Sequence, residues 1–203
     1  MNRILFLLLW ALPLACTAQQ TTVLQPEEQE ALTYMREEEK LARDVYDSMY
    51  ARWNNNPFGN IRHSERVHME QVKTLLLKYK INDPVAATND KPGLFSNSVL
   101  QQVYRELVTS GSQSFTAALQ AGAKIEELDI SDLQKRMALT RREDITSTFS
   151  YLVRASENHL RAFVRRLKSE GINYEPTILD RATYDAIIAR EQHSGQGYGR
   201  NRN

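Results

Sequence analysis

An all-α fold, an antiparallel four-helix bundle with additional short helices, is what this 203-residue sequence predicts. Three observations lead there. Apolar residues recur at three- and four-residue steps over four long stretches, the period of helices that bury one face. No run alternates apolar and polar residues as a half-buried strand would. Only eight Gly and six Pro are spread over the chain, so long helices are permitted.

The first residues differ in kind. Arg3, the apolar run Ile4 to Leu12 and the small residues Ala15 to Ala18 have the layout of a secretory signal peptide over 1–18. The run is too short to span a bilayer. Cys16, the one cysteine, leaves two processing routes open. Cleavage after Ala18 gives a soluble periplasmic or secreted protein; cleavage before Cys16 gives a lipid-anchored one. "LAC" resembles the end of a lipoprotein signal, but Pro13 stands where such signals usually carry Leu. On either route the mature chain has no transmembrane span and no intrachain disulfide.

Residues 19–26 read as a polar linker, followed by a helical domain over 27–190. The first helix begins at Glu27 behind Pro26, with the acidic turn "EEQE", and runs to about Arg52. Leu32, Met35, Glu39, Ala42, Tyr46 and Met49 share its face. "NNNPFGN" breaks it, and a second helix covers about Ile61 to Tyr79 with Glu65, His68, Val72 and Leu76 inward. Residues 82–93 carry turn chemistry and read as a loop, and Ser98 to Ser110 as a shorter helix. The third long helix starts near Ser114 and passes through Gly122, which costs roughly 1 kcal/mol against Ala unless packing is close there. Thr140 and Glu143 look like a capping pair for the fourth, which ends near Ser169 before Gly171. A last helix covers about Leu179 to Arg190, and 191–203 read as a disordered tail.

Composition excludes some functions. Without Arg3 the 26 Lys and Arg residues become 25, equal to the 25 Asp and Glu, so nucleic-acid binding has no support. No phosphate loop, Ser-His-Asp arrangement or cysteine nucleophile is present. What needs explaining is ionisable groups on apolar faces, since burying a lone charge is costly. Glu39 lies on the first helix, Glu65 and His68 on the second, Glu126 and Asp129 on the third, His159 on the fourth. Carboxylates with some imidazole suit Fe(II), Mn(II) or Zn(II). Glu37, Glu38 and Glu127 read as solvated neighbours, Tyr46 as core beside the ligands, and His63 and His193 carry no role.

Ferritin-like di-iron proteins take a Glu from each of two helices and Glu-x-x-His from each of the other two. Glu65-Arg66-Val67-His68 meets that pattern, and Glu39 followed by Tyr46 resembles the first helix of ferritins and rubrerythrins. "EEEKLARDVY", "FGNIRHSERVH", "IEELDISDL" and "NHLRAF", in that order, resemble an uncharacterised ferritin-like family of bacteria and archaea, a domain of unknown function in the rubrerythrin/ferritin-like superfamily. The resemblance covers about residues 30 to 190. It implies a ferritin-like four-helix bundle with a carboxylate-bridged di-metal centre of Fe or Mn, and carries over Glu39, Glu65 and His68. The second half departs from the pattern: Ser156, not Glu, stands three before His159, and Glu157 points about 200° around the helix. Two readings follow. One is an exported metal-binding bundle with O₂- or peroxide-linked redox chemistry; the other is a non-enzymatic envelope protein with a degenerate site. The chain alone leaves monomer and homodimer open.

Overall fold

A computed structural model describes residues 23–194. The signal-peptide reading of 1–18, the start of the linker and the tail from 195 lie outside the described residues. Seven helices and no strand occupy the described chain. α1 (Pro26–Trp53) opens with Pro at its first turn, where the Gln25 N–H donates to the Glu28 carboxylate at 2.9 Å. α2 (Phe58–Tyr79) begins three residues earlier than the turn residues suggest. Phe58 is fully buried against Tyr46 and Phe163, so burial of one ring draws part of "NNNPFGN" into the helix.

α3 (Pro84–Ala87) is a short helix within the expected loop; Asp83 caps it by accepting from the Val85 N–H at 2.9 Å. α4 (Ser98–Gly111) is capped by Asn97, which accepts from the N–H groups of Val99 and Leu100. α5 (Phe115–Met137) runs unbroken through Gly122, where the Phe163 ring occupies the space a Cβ would need. α6 (Glu143–Ser169) is preceded by Arg142 rather than Thr140 at its cap. Thr140 instead donates to the Glu28 carboxylate and accepts from the Arg142 N–H. Beyond α6 lies Gly171, whose φ of +79° only glycine adopts at little cost. α7 (Arg181–Ser194) starts two residues late, because Asp180 accepts from the Thr183 N–H as a cap, and continues past Arg190.

The four long helices contact one another in a ring: α1 with α2, α2 with α6, α6 with α5, and α5 with α1. Each contact is antiparallel, as the pairs Tyr46–Phe58 and Glu39–His68, Phe58–Phe163 and Tyr79–Asp144, Gly122–Phe163 and Asp129–Ser156, Tyr46–Glu126 and Glu30–Arg136 show. α3 and α4 form the long connection between α2 and α5, and α4 packs on α1 and α5. No helix among the described residues is long and apolar enough to cross a membrane.

Two apolar clusters fill the interior. One includes Val45, Tyr46, Phe58, Ile61, Leu119, Leu160 and Phe163. The other includes Leu32, Met35, Val72, Leu76, Leu133, Phe149 and Leu152. Along α1, α2 and α6 the polar residues Glu39, Glu65, His68, Ser156 and His159 fall between the two sets. The fold thus places a polar layer midway along its length.

α1 departs from a simple amphipathic helix. The 82–97 segment folds over its outer face and buries Arg36, Glu37, Lys40, Arg43 and Asp44. Lys40 is fully buried, donating to Asp44 at 2.5 Å and to the Lys91 carbonyl at 2.9 Å. Asp44 also accepts from the Gly93 N–H, and Glu37 from those of Ser96 and Asn97. Glu37 is therefore no solvated neighbour: it secures the start of α4.

Candidate metal centre

Five side chains from four helices converge in the polar layer. His68 Nδ1 lies 2.8 Å from Glu65 Oε2 and 3.2 Å from Glu39 Oε2. His159 Nδ1 lies 2.9 Å from Glu65 Oε1 and 3.5 Å from Glu126 Oε1. The ligand atoms form two groups, Glu39–Glu65–His68 and Glu65–Glu126–His159, each closing within 4.8 Å. Glu65 belongs to both and offers one oxygen to each histidine. The imidazole rings stack 5.6 Å apart with planes 22° from parallel. All five residues are buried except His159, whose side chain keeps 12% of its exposure.

Other groups orient these five. Tyr46 donates to Glu126 Oε1 at 2.5 Å. Asp129 does not join either group; its Oδ2 accepts from Ser156, which stands where a di-iron α6 would carry a carboxylate. Two contacts were not anticipated. Ser64 Oγ lies 3.2 Å from His68 Nε2, and the half-exposed Tyr151 ring meets the His68 ring edge-on at 5.9 Å. The i, i+4 spacing of Ser64 and His68 was a usable signal for the first; nothing local marks Tyr151.

The electrostatics follow from burial and pairing. Burial opposes a charge on His68, but Glu39 and Glu65 outweigh it and push the imidazole up to about 12. His159 is likewise pushed up to about 10 by Glu126 and Glu65 against its own burial. Burial would raise Glu65, yet the two histidines hold it down to about 2. Glu39, with burial outweighing His68, rises to about 7. Burial also raises Glu126, and it lifts Asp129 well above the usual range with help from the charges of Glu39 and Glu38.

Hydrogen bonds inside the protein do not saturate this layer. Glu39 Oε1, Glu65 Oε1, Asp129 Oδ1 and His159 Nδ1 are buried without a hydrogen-bond partner. His159 Nδ1 and Glu65 Oε1 stand 2.9 Å apart but are not aligned for a hydrogen bond. Buried polar atoms are normally satisfied, so nitrogen and oxygen atoms converging without aligned partners fit ligation of a cation. The nitrogen and oxygen donors suit Fe(II), Mn(II) or Zn(II).

The neighbouring acids fall into two kinds. Glu127 is fully buried, not solvated: its carboxylate accepts from the Tyr174 hydroxyl and from the N–H groups of Thr177, Ile178 and Leu179. Glu38 is buried too, with neither carboxylate oxygen partnered. Glu157 turns away from the centre to pair with Arg190 at 2.9 Å. His63 is outside the layer beside Arg66, and nothing is described of the His193 side chain.

Comparison with known proteins places the chain. A family model described as an uncharacterized protein domain (DUF2202) matches residues 28–191. The chain belongs to the DUF2202 family. It is 47% identical over 169 residues to the uncharacterized protein MJ0754 of Methanocaldococcus jannaschii, covering 83% of this chain and 90% of that one. The crystal structure of the hypothetical protein MJ0754 from Methanococcus jannaschii DSM 2661 aligns with a TM-score of 0.80 at 46% identity, over 89% of this chain and 98% of that one. The DUF2202 match spans all the residues of the polar layer.

Proposed function

We propose that this DUF2202 protein is an exported, ferritin-like metalloprotein that binds two iron or manganese ions within a four-helix bundle. The observation that carries the reading is the sharing of Glu65 between two buried ligand groups, each with its own histidine. A carboxylate that offers one oxygen to each of two groups is suited to bridge a pair of ions. The ring of antiparallel contacts, with one long connection between α2 and α5, agrees with ferritin-like topology. Export rests on the sequence pattern of residues 1–18 alone.

In this reading Glu39 and His68 would hold one ion and Glu126 and His159 the other, with Glu65 offering an oxygen to each group. Tyr46 fixes the Glu126 carboxylate, and the Ser64 hydroxyl accepts from His68 Nε2–H so that Nδ1 faces the ion. Asp129, anchored by Ser156, has its free oxygen available as a sixth ligand. A redox metal supplies the electron exchange with dioxygen or peroxide that these side chains lack. The apolar clusters on both sides of the layer keep bulk water from it.

The test is metal per chain before and after Glu65→Ala combined with His68→Ala. The native protein should hold two ions and the variant close to none; near-zero occupancy in both rejects the reading. Ser156 in place of a carboxylate favours a second reading, a non-enzymatic helical protein of the envelope with a degenerate site. It predicts no rise in melting temperature with Fe(II), Mn(II) or Zn(II), whereas native-state binding raises it.

A further inference from the structure

Outside the two ligand groups, the least explained side chain is Glu38. It is 1% exposed and neither carboxylate oxygen has a hydrogen-bond partner. The charges of Asp132 and Glu39 bear on it, and those of Glu39 and Glu38 bear on Asp129. Asp129 also leaves Oδ1 buried and unpartnered, as Glu39 leaves Oε1. The four carboxylates therefore form a file along the contact of α1 with α5: Asp132, Glu38, Asp129, Glu39. Asp129 and Asp132 lie one turn apart on α5, so they share a face.

The outer end of the file reaches the surface. Asp132 is 9% exposed, and its charge and that of Glu38 act, after burial, to raise the nearby Tyr34 phenol. Tyr34 in turn lines a surface depression of about 400 Å³ together with Glu30, Thr33, Glu37 and Asn97. Two cations stand at this mouth. Arg136 packs on the Tyr34 ring at 3.7 Å, and Lys135, two-thirds exposed, lies 3.1 Å from Asp132. The lysine end of this i, i+3 pair lies in solvent, so Lys135 can yield to an arriving ion.

We infer that this carboxylate file is the route by which a divalent cation travels from the depression beside Tyr34 to the ligands of the polar layer. Resting on the metal-binding reading above, the inference assigns a role to Glu38 and Asp132, which that reading leaves idle. No three of the file's carboxylates close within 4.8 Å as the members of each ligand group do, which suits passage better than retention. All its donors are oxygens, which favour a hard, exchangeable divalent ion. Carboxyl groups buried without partners exchange a proton for such an ion as it passes, which favours its entry over that of an uncharged solute.

The experiment uses Co(II) as the probe, mixed with the metal-free full chain and followed by its absorption on coordination. Glu38→Gln keeps the shape of the side chain and removes its ability to bind a cation as a carboxylate; Asp132→Asn does the same at the mouth, where a folding defect is least expected. Both variants should reach the native Co(II) stoichiometry at least tenfold more slowly. Glu70→Gln, at an exposed acid on α2, should fill at the native rate. Native rates in Glu38→Gln and Asp132→Asn would overturn the route while leaving the centre intact. A native protein that takes up no Co(II) would overturn the centre, and the route with it.

Discussion

Loading the polar layer with metal should release protons in a number set by the groups that hold them beforehand. At pH 7 His68, at about 12, and His159, at about 10, each carry a proton in the metal-free protein. Glu39, at about 7, carries one half of the time. Metal ligands must be deprotonated, so filling both positions expels two imidazolium protons and about half a carboxyl proton per chain. Burial shifts Glu126 and Asp129 in the same direction, so their contribution can only increase that figure. Adding Mn(II) or Zn(II) to weakly buffered protein with an indicator dye measures the acidification directly. Saturation with release of less than one proton per chain would refute the reasoning.

The same groups fix the sign of the pH dependence. His68, His159 and Glu39 have pKa values raised above their unfolded values of about 6.5 for His and 4.3 for Glu. Their stabilisation of the metal-free fold is complete below those values and is lost as pH rises through the folded ones, about 7 for Glu39 and about 10 for His159. Glu65 acts oppositely, but only between its folded value of about 2 and the unfolded range, far from neutrality. Metal affinity therefore climbs from pH 6 to 9 while the metal-free fold weakens. The melting-temperature gap between loaded and metal-free protein should widen over that interval.

Two substitutions test the frame around the centre. Glu127→Ala removes an acceptor from three backbone N–H groups and a phenol, and should cost roughly 3 kcal/mol or more by urea unfolding; a loss below 1 kcal/mol would mean that water replaces these bonds freely. Gly122→Ala gains about 1 kcal/mol of helix propensity but forces a methyl into the Phe163 ring, which is wedged 5.4 Å from both Tyr46 and Phe58. Overpacking of this kind costs about 1–3 kcal/mol, so the melting temperature should fall by a few degrees, and a rise would show that the ring yields.

The long helices were legible because their apolar periodicity is local. So were Glu39, Glu65, His68, Glu126 and His159, which interrupt apolar stripes at helical spacing. The misreadings of Glu37 and Glu127 share one physical origin. Glu37, Lys40 and Asp44 sit on what periodicity assigns to the solvent side of α1, and they are buried because residues 82–97, far away in sequence, fold over that side. Glu127 is buried for the same reason, by the segment 174–179. A helix covered on two sides carries two stripes, and a single-face template reads only one of them.

The charge pattern of the layer argues for a cation beyond the count of ligands. Isolated buried carboxylates are costly, and each must find positive charge, a proton or a hydrogen-bond donor. Glu65 is the one acid in the layer that faces both histidines, and it is the one whose pKa is lowered. Glu39, Glu126, Asp129 and Glu38 are all raised, so burial in the metal-free protein favours a bound proton over a bare charge at each of them. A divalent ion placed among them replaces those protons with charge that stays in position at neutral pH. The shortage of positive charge is greatest at Glu38 and Asp129, which have no histidine partner. That is the α1–α5 side, where an arriving cation gains most before it reaches the imidazoles.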